Sequence, residues 1–192
     1  MQIRSICVYC GSSRGLLPEY METARAFGQL IAERGITLVY GGGNVGLMGA
    51  VADAALNAGG HVIGVIPQSL IEMEVAHNGL SEFFAVDNMH TRKAKMAELA
   101  DAFVALPGGI GTLEEIFEVL TWNQLHIHTK PCALLNIAGY YDAMCDFLQN
   151  MVDQRFLRQE NLDTLMVETD QQELLNRLEA YEPLKIEKWV DR

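Results

Sequence analysis

The sequence is short of positive charge. Its 14 lysines and arginines face 25 aspartates and glutamates, for a net charge of −11. Nucleic-acid and anionic-membrane surfaces are built on basic patches, so neither partner is expected. No apolar run approaches the roughly 20 residues that span a bilayer. The N-terminus, Met1 to Ser5, lacks the form of a signal peptide, and a cytoplasmic location is the expectation. Repeats, low-complexity tracts and linkers are missing too. The 192 residues suit one domain, 1–192, with a loosely held charged tail over 182–192. Cysteine is sparse, with four residues, and they do not form a disulfide set. Cys7 and Cys10 spell C-x-x-C, a spacing that admits a redox or zinc pair. They fall inside a strand, however, where residues three apart face opposite ways, so buried, apolar-like thiols are expected and no metal. His126-x-His128 follows a helix end and reads as a surface turn.

What is present is alternation. Apolar runs rich in β-branched residues recur at Ser5–Cys10, Ile36–Tyr40, His61–Ile66, Phe83–Val86, Asp101–Leu106, Pro131–Asn136 and Leu165–Val167. Between them lie segments of helical periodicity, one opened by Pro18 and stopped by Gly35. Gln68–Leu80 reads as irregular or as a short helix. Strands alternating with helices predict an α/β fold: a Rossmann-like, doubly wound parallel sheet of six to seven strands, helices on both faces. Ligands of such sheets bind outside the carboxyl ends of the strands. Three turns rich in glycine or serine fall there, after the first, second and fifth strands.

The turn after the fifth strand organises the rest. Ala105-Leu106-Pro107-Gly108-Gly109-Ile110-Gly111-Thr112-Leu113-Glu114-Glu115 reads as the end of a buried strand, a glycine turn and a helix start. Glycines let a ligand approach the backbone, and the open N–H groups of a helix start bind anions. A nucleotide phosphate is the expected ligand, with Glu115 one turn further in, beside the attached sugar. Glu114 and Glu118 are favoured in the first turns by the helix dipole alone.

Gly41-x-Gly43-x-x-Gly46 formally matches a dinucleotide fingerprint, but the acidic residue it requires is replaced by Ile66-Pro67-Gln68. A nicotinamide cofactor is therefore the poorer reading. Close packing and ligand contact both remain open for these glycines. There is no G-x-x-x-x-G-K-S/T string, so P-loop ATP hydrolysis is not indicated. Arg92 and Lys93 stand at the wrong end of a helix for its dipole, and residues that break a local rule are often functional. If that helix start faces the glycine turn after the fifth strand, Arg92 has reach to a phosphate, a ribose or a departing base. Glu74 is a second carboxylate, on the irregular segment.

Pro107 to Glu115 fits P-G-G-x-G-T-x-x-E, and Met89 to Lys93 fits M-x-x-R-K. Together they resemble the LONELY GUY family of cytokinin-activating phosphoribohydrolases, from the first strand through Gly139-Tyr140-Tyr141. The resemblance implies a homodimer, without metal or redox cofactor. It would hydrolyse the N-glycosidic bond of nucleoside 5′-monophosphates, AMP or an N6-modified analogue, to free base and ribose 5-phosphate. It implies Arg92 and Glu115 as the catalytic pair. Gly109, Ile110, Gly111 and Thr112 would take the phosphate, with Leu113, Glu114, Glu74, Lys93 and Thr121 completing the substrate site. Such chains have also been labelled lysine decarboxylases. A pyridoxal enzyme needs a Schiff-base lysine in an apolar pocket, which Lys93 and Lys95 on a polar helix start do not offer. A nucleotide carrier that does no chemistry is the alternative function.

Overall fold

The computed structural model describes residues 2–71 and 76–183. Glu74 and the tail from residue 184 onward lie outside the described residues. Seven strands, β1 (Ser5–Tyr9), β2 (Thr37–Tyr40), β3 (Val62–Pro67), β4 (Glu82–Val86), β5 (Ala102–Ala105), β6 (Cys132–Leu135) and β7 (Leu165–Glu168), form one sheet. Every pairing is parallel, in the order β4-β3-β2-β1-β5-β6-β7. The chain builds outward from β1 to β4, then returns to the other side of β1 to start β5. That reversal opens a crevice beyond the carboxyl ends of β1 and β5. Register aligns those ends: Tyr9 pairs with Ala105 and Val8 with Tyr40.

Helices cover both faces. On one lie α1 (Pro18–Glu33), α2 (Gly46–Asn57) and α8 (Gln171–Glu179). Their Phe27, Ile31, Val51, Leu174 and Leu178 pack on Ile6, Val8, Leu38 and Val104. On the other lie α4 (Met89–Leu99), α5 (Ile110–Gln124) and α6 (Asp142–Asp153), whose Met96, Ile116, Val119 and Leu148 meet Cys7, Tyr9, Val39 and Phe103. The period-two alternation of a strand produces this division. It sends Cys7 to one core and Cys10 to the other, as the C-x-x-C argument requires, and burial pushes both thiols well up.

The short α3 (Gln68–Ile71) begins the segment expected to be irregular or a short helix. Two small features escaped the periodic pattern because neither is long enough to show one: a single 3-10 turn at Ile137–Gly139 and α7 (Gln159–Leu162). The His126-x-His128 turn is only half at the surface. His126 is exposed with a φ of 58°, but the His128 ring packs 5.3 Å from Phe103 and accepts a hydrogen bond from the Lys130 N–H at 3.1 Å. Burial holds that imidazole below its ordinary pKa. Among the described residues, no helix is long and apolar enough to cross a membrane.

Helices α1 and α2 touch backbone to backbone at Gly28, where an added Cβ would stand 2.2 Å from the Val51 carbonyl oxygen. A backbone carbonyl inside a helix cannot move aside. Gly28→Ala is therefore expected to lower stability by about 1–3 kcal/mol despite alanine's higher helix propensity; the midpoint of urea unfolding measures it.

Candidate active site

The crevice holds a cavity of about 370 Å³, within the size range of small-molecule sites. Gly11 and Ser12 after β1, Gly41 and Gly43 after β2, and Gly109, Gly111, Thr112 and Glu115 at the start of α5 supply its polar wall. Val45, Met48, Ile66, Leu70 and Met89 supply an apolar one. A larger groove of about 710 Å³ is lined by α1, α2 and the turns after β1 and β2, and does not contain the ion pair described next.

Arg92 and Glu115 meet in the smaller cavity, Nη1 to Oε1 at 3.3 Å, each only 9% exposed. The guanidinium also donates from Nε to the Val65 carbonyl at 3.1 Å and from Nη2 to the Gly41 carbonyl at 3.3 Å. The carboxyl ends of β2 and β3 thus offset the unfavourable position of this cation near the start of α4. A Cβ on Gly41 would lie 1.8 Å from Arg92 Nη2. That resolves one of the two reasons left open for the fingerprint glycines: Gly41 makes room for a buried arginine. Gly46 has another reason, with φ at +59° and the Ser12 backbone 2.3 Å from where its Cβ would be. Burial raises the Glu115 carboxyl above its ordinary pKa; Arg92 pulls it back only in part, and Glu114 pushes it further up.

The α5 start is uncapped. No side chain bonds to it, and its first intrahelical bond runs from Leu113 N–H to the Gly109 carbonyl. The N–H groups of Ile110, Gly111 and Thr112 have no intrahelical acceptor. Gly108 is required by packing, since its Cβ would stand 2.1 Å from Thr112 Oγ1 and 2.8 Å from Gly11 N. Gly109 and Gly111 are different. Neither has a positive φ, and a Cβ on either would meet nothing within 4 Å.

Of the other residues singled out in the sequence, Glu114 also lines the cavity, whereas Lys93, Ile110, Leu113 and Thr121 do not. Lys93 is buried against Glu114 and, at 3.0 Å, Glu118. Burial alone would lower its pKa, but the two carboxylates outweigh it and hold the ammonium above its ordinary value. Those glutamates thus have a partner beyond the helix dipole. Thr121 is exposed on the outer side of α5 and donates to the Phe117 carbonyl at 2.7 Å. Ile110 is 86% exposed, and Leu113 is half-buried away from the cavity wall. Sequence reasoning missed the apolar wall and the Ser12 contribution. The apolar wall comes from four separate segments, and no local pattern announces it.

Because Glu115 binds its proton more tightly when folded, its ionisation disfavours the folded state. The penalty is present above the folded pKa and absent below the unfolded one. Glu115→Gln, a neutral isostere, is expected to raise Tm at pH 7, with the gain shrinking as pH falls toward the ordinary glutamate range. Thermal melts across that range measure it; a lower Tm at pH 7 would mean that the pair with Arg92 outweighs the burial.

A family profile described as "possible lysine decarboxylase" matches residues 48–178. Its name finds no support in the described lysines: Lys93 and Lys95 are engaged with carboxylates, and Lys130, whose pKa burial lowers, precedes β6 at the amino ends of the strands, away from the cavity. The chain is 49% identical over 182 residues to a cytokinin riboside 5′-monophosphate phosphoribohydrolase of Arabidopsis thaliana, covering 95% of this chain and 84% of that one. It is likewise 49% identical to one from Oryza sativa subsp. japonica, over 95% and 75%. Among solved structures, the molybdenum cofactor carrier protein of Chlamydomonas reinhardtii matches with a TM-score of 0.72 at 21% identity, over 93% of this chain and 99% of that one. The molybdenum cofactor binding protein of Rippkaea orientalis matches with a TM-score of 0.70 at 23% identity, over 94% and 98%. At those identities the two structures attest the fold alone. With nearly half of its residues shared along almost its whole length, the chain belongs to the LONELY GUY family of cytokinin riboside 5′-monophosphate phosphoribohydrolases.

Proposed function

We propose that this protein hydrolyses the N-glycosidic bond of nucleoside 5′-monophosphates, AMP or its N6-modified analogues, releasing the free base and ribose 5-phosphate and so activating cytokinin nucleotides. One observation weighs most. Gly109 and Gly111 serve neither packing nor backbone conformation, yet they border a cavity beside three free N–H groups and a buried Arg92–Glu115 pair. A phosphate on those N–H groups would lie along the positive end of the α5 dipole. The bound phosphate would supply fixed binding energy that positions the ribose over Glu115.

Breaking the bond develops positive charge on C1′. The Glu115 carboxylate stabilises it and orients a water, accepting the proton as the water oxygen bonds to C1′. The electron pair of the C1′–N bond leaves with the base, and Arg92 stabilises the developing negative charge there. Desolvation makes Glu115 a stronger base than a solvated carboxylate, provided that it is ionised. A carrier that only holds a nucleotide gains nothing from a carboxylate beside an anionic ligand.

A homodimer in the cytoplasm fits this reading. Four free thiols suit a reducing compartment. Ile110 and Thr121 share one stripe of α5 and Leu125 follows directly after the helix, with Ile110 86% and Leu125 63% exposed, so a second copy would both cover apolar surface and bring Thr121 near a site. Light scattering is expected to give twice the mass of one chain; a monomer at micromolar concentration would exclude the dimer.

Incubation with nucleoside monophosphates, followed by chromatography of the released base, tests the activity. AMP or an N6-prenylated analogue is expected to be cleaved with a kcat/KM at least about 100-fold above that of the corresponding nucleoside, from loss of charge-assisted phosphate contacts. Glu115→Gln should bind nucleotide but release no base. Gly111→Ala should fold normally, with KM raised about tenfold or more, because its methyl enters the phosphate site. Equal turnover of nucleoside and nucleotide, or an active Glu115→Gln variant, would exclude the mechanism; binding with no release by the unaltered protein would leave a carrier.

A further inference from the structure

Three consecutive carbonyls of the β5–α5 turn are each held by a donor from another segment. Leu106 O accepts from Tyr141 Oη at 2.6 Å, Pro107 O from Gly11 N–H at 3.0 Å, and Gly108 O from Tyr140 Oη at 2.5 Å. A peptide unit is planar, with its C=O and the following N–H pointing opposite ways. Holding the Gly108 carbonyl toward Tyr140 therefore holds the Gly109 N–H away from it. Holding the Pro107 carbonyl does the same for the Gly108 N–H. In a turn this rich in glycine, the peptide planes would otherwise reorient at little cost.

The anchors are themselves firmly set. Both tyrosines follow β6, the strand beside β5, on a turn where Ala138 and Gly139 adopt left-handed φ values of 51° and 71°. Asn136 fixes the turn's exit, accepting from Tyr141 N–H at 2.8 Å and donating to Asp142 at 2.6 Å. Tyr141 is buried, and the Tyr140 ring is held edge-on between Tyr141 at 5.0 Å and Tyr20 at 5.7 Å.

We infer that Tyr140 is a positioning residue for phosphate recognition: through the Gly108 carbonyl it aims the Gly109 N–H at the anion before the ligand arrives. Tyr141 steadies the strand end behind it. The inference rests on the phosphate assignment proposed above. Preorganised donors strengthen binding by removing the reorganisation that binding would otherwise require.

Tyr140→Phe keeps the ring packing and removes one hydroxyl. On the Glu115→Gln background, which prevents turnover, calorimetry with ribose 5-phosphate, AMP and adenosine reads the effect. Loss of one anchoring hydrogen bond is expected to weaken both phosphate-bearing ligands about five- to tenfold and to leave adenosine within about twofold. The Gly109 amide resonance of the ligand-free protein should shift or split. Tyr20→Phe removes a hydroxyl from the ring packed against Tyr140 without touching the turn, and should change none of these readouts. A parallel loss for adenosine and AMP, an unchanged phosphate affinity, or an equal effect of Tyr20→Phe would overturn the inference. So would weaker phosphate binding with an unperturbed Gly109 resonance, which would make Tyr140 a direct ligand. If the unaltered protein binds neither phosphate-bearing ligand, the phosphate assignment itself fails, and the ligand-free Gly109 signal still reports separately on the anchor.

Discussion

A guanidinium buried at the end of a parallel sheet sets the terms for much of this molecule. Arg92 enters the crevice near the start of α4, where the dipole opposes it, and survives there because three oxygens surround it: Glu115 and the carbonyls of Gly41 and Val65. Stripping those oxygens away would leave the guanidinium with neither water nor an acceptor, which is strongly unfavourable. The arrangement therefore dictates its neighbours. Position 41 must lack a side chain, β2 and β3 must end in register so that both carbonyls point the same way, and α5 must begin close enough for Glu115 to reach across.

The charge distribution follows the same logic. A chain with net charge −11 repels anions at long range, so an anionic ligand depends on short-range donors. The Lys93 ammonium is absorbed by Glu114 and Glu118, which leaves backbone N–H groups, the Ser12 and Thr112 hydroxyls and Arg92 as the donors around the cavity among the described residues. Backbone donors suit that task because they are neutral, fixed by the helix and unaffected by pH.

The α/β alternation was legible in the sequence, because buried parallel strands read as apolar runs and their longer helices as periodic ones. The glycine turn after β5 was legible for a similar reason: strand end, turn and helix start are contiguous, so one stretch of chain carries the whole signal. Long-range closures were not. Nothing local in Gly41 says that an arginine 51 residues later will occupy its missing Cβ, and Lys93 gives no sign that its partners lie 21 and 25 residues on. Tyr140 and Tyr141 look like ordinary aromatics at a helix start until the neighbouring strands bring their hydroxyls onto the carbonyls of residues 108 and 106. His128 misled for the opposite reason, since a turn sequence says nothing of an aromatic ring waiting beneath it.

Gly109 and Gly111 separate two selection pressures that usually act on the same residue. The fold tolerates a methyl group at either position, so drift there would go unnoticed by chaperones and proteases. A variant library sorted for expression or heat resistance would keep such changes alongside intact molecules, and only a screen for ligand capture would tell the two apart.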